Sequence, residues 1–202
     1  AISYQYLGRT QIALGNLEDA LAFYQQFNQL AQELHHDFPD HVDFKEGLAI
    51  SYQYLGNTQS ALGNLEDALD FYQHLNQLEQ ELHYDFPDNV DFKNGLAISY
   101  QCLGETQSTL GNLEDALDFY QQLNQLEQEL HYDFPGNVDF KEGLAISYFK
   151  LGACYQQHDQ LILAKDYFQR AAALWQALAT VFPSYVEFSR NLAEVKEILA
   201  EL

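Results

Sequence analysis

The sequence has few basic residues, and this scarcity excludes whole classes of partner. It contains 9 Lys and Arg against 30 Asp and Glu, which gives a formal net charge of −21. Nucleic acids and anionic membrane surfaces both attract faces that are rich in Lys and Arg. We therefore expect neither a nucleic acid nor a membrane as the partner of this acidic chain.

Cysteine, proline and long apolar runs are scarce as well. The two cysteines, Cys102 and Cys154, are too few for a disulfide framework, so we expect reduced thiols and a cytoplasmic location. No apolar run approaches the roughly 18 residues of a membrane span, and no secretion signal is visible. The sequence begins without Met and inside a repeat, so we expect it to be a piece of a longer protein.

One segment recurs at a fixed period. The octet LGNLEDAL occurs at Leu14–Leu21, Leu62–Leu69 and Leu110–Leu117, so the period is 48 residues. The second and third copies of the full repeat differ at six of 48 positions, the first copy is more distant, and the fourth is divergent. We interpret the chain as a single repeat array over 1–202. Its repeats are 1–48, 49–96, 97–144 and 145–192, with a C-terminal capping helix at about 185–202.

Each repeat is predicted to contain two amphipathic helices, which we name helix A and helix B. Around the start of the third repeat, apolar residues recur at helical spacing through Val90–Leu110 and again from Leu113 onward. Gly111 suits the end of helix A, and Asn112 suits the N-cap of helix B, with Asp115 as its capping-box partner. Neither helix can bury its apolar face alone, so the hairpins must stack, as they do in a solenoid.

The spacing of an aromatic residue, Leu-Gly, a small Ala and a second aromatic residue resembles the tetratricopeptide repeat. In the second repeat these residues are Tyr52, Leu55, Gly56, Ala68 and Tyr72. The resemblance implies an all-α fold, a right-handed superhelical solenoid of antiparallel helix hairpins, with about nine helices here. Two features depart from the family: the repeat is 48 residues long rather than 34, and Gln replaces a second helix-A aromatic residue. Long repeats of this kind resemble arrays in large bacterial signalling and defence proteins.

The positions at which the second and third repeats differ indicate a candidate binding surface. Four of the six lie on helix A, within an arc of about 80° at 100° per residue. In the family that the chain resembles, helix A lines the concave groove, which suits an extended peptide or a partner helix. The alternative is that exposed positions vary without function. The predicted partner-binding residues are Gln5, Tyr6, Arg9, Gln53, Tyr54, Asn57, Gln101, Cys102, Glu105, Thr109, Phe149 and Lys150.

The acidic residues are concentrated on helix B and the adjoining loops. Those of the second repeat, such as Glu66 and Glu79, are expected to form a solvated outer face. A catalytic pair of carboxylates needs two different environments in one cleft, whereas these acids recur in identical contexts. Histidines that recur once per repeat, such as His83, would be spread along the array rather than converge on a metal ion. We therefore predict no enzyme activity, no cofactor and no metal site.

The repeat pattern favours a binding function. We predict a protein- or peptide-binding scaffold or sensor arm that uses the concave helix-A face. The alternative is a structural spacer or a self-associating array, because the first helix begins in the middle of a repeat and leaves an apolar N-terminal end open.

Overall fold

The computed structural model describes residues 2–202, and Ile2 by its backbone alone. Over that range the chain forms nine α-helices and no strand, which confirms the predicted all-α fold class. The helices alternate between helix A, with odd numbers, and helix B, with even numbers. They are α1 Ile2–Ala13, α2 Leu17–Asp37, α3 Val42–Ala61, α4 Leu65–Asp85, α5 Val90–Leu110, α6 Leu113–Asp133, α7 Val138–Gln157, α8 Leu161–Val181 and α9 Val186–Glu201.

The length of the repeat is taken up by long helices. Helices α2 to α8 have 20 or 21 residues each, about six turns. The predicted helices of the third repeat coincide with α5 and with the start of α6. Among the described residues, none of the helices is both long enough and apolar enough to span a bilayer.

The chain divides into two compact units, Ala1–Thr106 and Gln107–Leu202, with the boundary inside α5. In the N-terminal unit α1 packs on α2, α2 on α3, and α3 on α4. In the C-terminal unit α6 packs on α7, α7 on α8, and α8 on α9. Helices that are consecutive in the chain are therefore neighbours within each unit. The single array over 1–202 stays a prediction.

The two helices of a repeat meet where a glycine packs on an aromatic ring. A Cβ atom added to Gly56 would lie 2.5 Å from Cε1 of Tyr72. A Cβ atom added to Gly8 would overlap the ring of Tyr24. One added to Gly152 would lie 2.8 Å from Cδ1 of Phe168. Carbon atoms in favourable contact are about 3.5–4.0 Å apart, so any side chain here would push the helices apart. The glycine of the Leu-Gly motif therefore allows close packing within the hairpin.

Successive repeats are joined by a buried hydrogen bond. Nδ2 of Asn76 on α4 donates to Oγ of Ser99 on α5 over 2.8 Å, and this hydroxyl donates to the carbonyl oxygen of Leu96 over 2.7 Å. Ser99 is 0% and Asn76 8% exposed, so both groups depend on each other rather than on water. The same bond, also 2.8 Å long, joins Asn28 to Ser51 and Asn124 to Ser147.

A glycine and an asparagine make the turn inside the repeat. Gly111 has a φ of +85°, in the left-handed region that favours glycine. Asn112 is the N-cap residue of α6, but its side chain makes no capping hydrogen bond, so the predicted capping box with Asp115 is wrong. Instead its Nδ2 donates to Oε1 of Gln107 over 2.8 Å. Gln107 occupies the position of the missing aromatic residue, and this bond between amides is its structural role.

Two glycines of α3 give a stability test with opposite expected signs. Gly56→Ala is expected to lower the free energy of unfolding by about 1–3 kcal/mol, because its methyl group would overlap the ring of Tyr72. Gly47→Ala is the matched control, since no atom lies within 4 Å of its added Cβ. Alanine there should raise stability by roughly 0.5–1 kcal/mol. Urea unfolding followed by circular dichroism measures both, and a loss of equal size at the two positions would contradict the packing described.

Candidate functional site

A cleft of about 340 Å³ lies in the N-terminal unit, lined by α1, the beginning of α2, and α3. Three of the predicted partner-binding residues, Arg9, Tyr54 and Asn57, line it. The remaining lining is mainly apolar, which is typical of small ligand sites that carry a few polar groups. It consists of Ile12, Leu17, Tyr24, Thr58 and Ala61.

The aromatic wall of this cleft is fixed by its neighbours. The ring of Tyr54 stacks on that of Tyr24, with centroids 4.7 Å apart and planes 9° apart. Tyr24 is buried and packs closely against Gly8. Nε2 of Gln5 donates to the hydroxyl oxygen of Tyr54 over 3.3 Å. Because the Tyr24 ring is held by packing and the Tyr54 hydroxyl by a hydrogen bond, the aromatic wall needs little reordering to receive a ligand.

Asn57 is oriented by a buried tyrosine. The hydroxyl of Tyr72 donates to Oδ1 of Asn57 over 2.7 Å. Burial, with the nearby Cys102 and Glu105, raises the pKa of Tyr72, which keeps the hydroxyl neutral and able to donate. With its oxygen engaged, Asn57 is exposed and retains its two Nδ2 hydrogens as donors.

Three further predicted residues cluster on α5. Nε2 of Gln101 donates to Oε1 of Glu105 over 3.0 Å. Burial and the charge of Glu105 raise the pKa of the Cys102 thiol to about 12. The thiolate is the nucleophilic form of cysteine, so the raised pKa keeps Cys102 in the thiol form, which packs as a small apolar side chain.

The C-terminal unit places Phe149 partly in its core. The ring lies 5.5 Å from that of Phe168 and 5.6 Å from that of Trp175, centroid to centroid. The ring of Phe149 therefore serves mainly to pack α7 against α8. Of the other predicted residues, Tyr6 and Thr109 are exposed, and Gln53 and Lys150 are half-buried.

Several residues that line the cleft are not apparent from the sequence. Tyr24 has the spacing of a core residue, although the cleft reaches its ring. Ile12 is exposed at the cleft and stands where the second and third repeats both have serine, at Ser60 and Ser108. Since those two repeats agree at this position, a comparison between them could not reveal it. Only a comparison with the first repeat, which has Ile at this position, would have indicated Ile12.

Two glutamates of helix B are buried, which corrects the expectation that all the acids of this helix are solvated. Glu79 and Glu127 are each 7% exposed. Each packs on a glycine of the next helix A, since a Cβ added to Gly95 or to Gly143 would lie 2.7 Å from the carboxyl carbon. Burial raises the pKa of both carboxyls to about 7, and the charge of Glu46 adds to the effect on Glu79. Within residues 2–202 these and other acids form no group of three metal-ligating side chains.

Each unit is built from consecutive helices that pack on one another, and the cleft of the N-terminal unit is lined mainly by helix A. Residues 3–41 match the tetratricopeptide repeat family, and the residues that carry the match recur through the remaining repeats. The family match thus covers one repeat of the chain, to which the other repeats are similar. Such repeats commonly serve as scaffolds for protein interactions and are generally not enzymes.

Several solved structures have a similar fold. The apo form of RapI matches with a TM-score of 0.69 at 12% identity, covering 99% of this chain and 64% of that one. BtubC from P. vanneervenii matches with a TM-score of 0.56 at 17% identity, over 92% of this chain and 74% of that one. MamA matches with a TM-score of 0.52 at 16% identity, over 97% and 98%. No curated protein matches the chain in sequence. At these identities the likeness shows the fold alone.

The buried glutamates predict that stability falls as the pH rises. Their pKa is about 7 in the folded chain against 4.5 ordinarily, so between these values the folded state binds more protons than the unfolded state. The free energy of unfolding therefore decreases from about pH 5 to pH 8. A tenfold difference in proton affinity between the two states corresponds to about 1.4 kcal/mol of stability.

Thermal unfolding at pH 5.5 and pH 8 measures this dependence. Glu79→Gln together with Glu127→Gln removes both titrations and is expected to flatten it. The control pair, Glu66→Gln with Glu114→Gln, removes two exposed acids of the first helical turn and should leave most of it in place. An equal response of the two double variants would show that general charge repulsion, and not burial, sets the pH dependence.

Proposed function

We propose that this chain is a protein- or peptide-binding arm whose ligand lies on helix A. The observation that supports this most is the cleft of the N-terminal unit, where three predicted residues, Arg9, Tyr54 and Asn57, meet. It combines a fixed aromatic wall, an apolar lining and polar groups that still have hydrogen bonds to offer. A groove of this composition suits an extended peptide or one face of a helix.

The chemistry of this face favours binding over turnover. An enzyme that used Cys102 or Tyr72 would need a lowered pKa to activate the nucleophile or the base, whereas burial raises the pKa of both. Repeated acids in equivalent settings offer no acid and base of different strength. Because these features disfavour turnover, we propose a scaffold or sensor role.

We further propose that the chain works in the cytoplasm, as one arm of a longer signalling or defence protein. Both cysteines of the described chain, Cys102 and Cys154, are free thiols, which suits a reducing compartment. The long repeat, which resembles arrays of that kind, supports the second part of the proposal.

Self-association through α1 is a second candidate function, supported by one observation. Leu7 is 45% exposed, whereas its counterpart Leu55 in the next repeat is 2% exposed and packs with Ala20 and Tyr24 of helix B. The surface of α1 thus repeats one that binds a helix B elsewhere in the chain. A helix B of a second copy would fit it.

A blocking variant tests whether ligands lie on helix A. Ala61 is exposed at the cleft, so Ala61→Trp fills the cleft without removing a core contact. Peptides selected from a displayed library against the wild-type chain are expected to lose at least about tenfold in affinity for this variant, as a central contact does. Fluorescence anisotropy of the labelled peptides gives the dissociation constants.

The matched control is Ala22→Trp, which places the same side chain at an exposed alanine of helix B. It should leave the affinity unchanged. Peptides that tolerate Ala61→Trp and are displaced by Ala22→Trp would move the binding face to helix B. If the library yields no binder and the sedimentation coefficient rises with protein concentration, the result favours self-association over ligand binding.

A further inference from the structure

The fourth repeat holds one of its own arginines on a pair of aromatic rings. The rings of Tyr148 on α7 and Tyr167 on α8 lie 6.0 Å apart, centroid to centroid. The guanidinium carbon of Arg170 lies 5.8 Å from the centroid of Tyr148 and 5.5 Å from that of Tyr167. Nη2 of Arg170 also lies 2.8 Å from Oδ2 of Asp166, one helical turn away. Because a ring attracts a cation within about 6 Å of its centroid, the two rings and the carboxylate together bind the guanidinium.

The second repeat has the same kinds of group at the corresponding positions, but no arginine. The aromatic pair there is Tyr52 on α3 and Phe71 on α4, whose rings lie 6.2 Å apart. The carboxylate is that of Asp70, and His74 replaces the arginine. Both rings are partly exposed, and Asp70 is exposed. The second repeat therefore retains the groups that bind a guanidinium in the fourth.

His74 covers one of these two rings. Its imidazole stacks on the ring of Tyr52, with centroids 5.0 Å apart and planes 21° apart. His74 is exposed, so a change of side-chain rotamer removes it from the ring at the cost of one surface contact. An aromatic pair recurs at these positions in every repeat, whereas the residue in the place of the arginine varies. In chain order it is Gln26, His74, Gln122 and Arg170.

The helices around the second aromatic pair are acidic. Helix α4, which carries Phe71, contains several Asp and Glu residues and no Lys or Arg. The same is true of α2, which reaches the pair through Gln32, whose Nε2 donates to the hydroxyl oxygen of Tyr52 over 3.1 Å. A surface of one sign attracts ligands of the other, so this one favours a cation.

We propose that Tyr52, Phe71 and Asp70 bind an arginine side chain of a partner protein. The guanidinium takes the place of His74 on the rings and pairs with the carboxylate, as Arg170 does within the fourth repeat. A guanidinium suits the site better than an ammonium group, because it is planar, more weakly hydrated and stacks on aromatic faces.

This surface is distinct from the cleft of the N-terminal unit. At 100° per residue, Tyr52 lies about 160° around α3 from Tyr54 and about 180° from Ala61, which both line the cleft. An arginine is thus bound on the other side of α3, whether or not a peptide lies in the cleft. The inference goes beyond the proposed function and is tested independently of it.

An arginine supplied by the chain itself should block the site. His74→Arg recreates the arrangement of the fourth repeat in the second and is expected to exclude an arginine of the partner. Gln73→Arg is the matched control, since it adds the same charge at the adjacent exposed position of α4. The reciprocal variant is Arg170→Gln, which uncovers the rings of Tyr148 and Tyr167.

The probes are two capped peptides, in which several arginines or the same number of lysines are separated by Gly and Ser. Titration at physiological salt is followed by the backbone amide NMR signals of α3, α4, α7 and α8. Around Tyr52 and Phe71 the arginine peptide is expected to bind about threefold or more tightly than the lysine peptide, in the wild type and in Gln73→Arg. His74→Arg should abolish this preference, and Arg170→Gln should create it around Tyr148 and Tyr167.

Equal binding of the two peptides by the wild type would show that the acidic surface attracts any cation, and would overturn the inference. The same conclusion follows if His74→Arg binds the arginine peptide at α3 and α4 as Gln73→Arg does, or if that peptide leaves these signals unshifted. Each of these results leaves the proposed ligand of helix A untouched, because the Ala61→Trp variant tests that ligand separately.

Discussion

A buried hydrogen bond between asparagine and serine sets how each helix B sits on the next helix A. Because apolar contacts are non-directional, they distinguish less sharply than hydrogen bonds between registers one helical turn apart. A slip would leave the buried Nδ2 group of Asn76 without its acceptor, at a cost of about 1–3 kcal/mol. The fourth repeat replaces the pair with Ala172 and Val195, and Val195 is fully buried. Specific polar pairing therefore gives way to ordinary apolar packing in the last repeat.

The register set by this bond also builds the cleft. With Asn28 bonded to Ser51, the ring of Tyr54 lies on the ring of Tyr24, one helical turn further along the same interface. Tyr24 is itself pressed against Gly8 inside the first hairpin. The aromatic wall is thus part of the packing between repeats, and two of the predicted partner-binding residues, Arg9 and Asn57, line the cleft beside it. The proposed binding face therefore shares its contacts with the stacking of the repeats.

The sequence was sufficient for the fold because its signals are periodic. The 48-residue repeat and the apolar spacing predicted both ends of α5 and the start of α6. What it could not supply were polar groups whose partners lie far along the chain. From the sequence alone Asn76 would be expected at the surface, and its burial is explained only by the hydrogen bond to Ser99 on another helix. Glu79 would be expected in solvent until Gly95 is seen to leave room for its carboxyl group. In both cases tertiary contact overrides a local preference. Asn112 differs, because its side chain bonds to Gln107 in the preceding turn rather than capping α6.

A double-mutant cycle at Asn76 and Ser99 measures directly whether the Asn–Ser bond couples successive repeats. We predict that Asn76→Ala and Ser99→Ala each destabilise the chain and that the double variant loses less than their sum, by about 1 kcal/mol or more. Ser3 is the exposed counterpart in the first repeat, so Ser3→Ala should change stability by less than about 0.5 kcal/mol. Strictly additive losses at Asn76 and Ser99 would contradict this coupling.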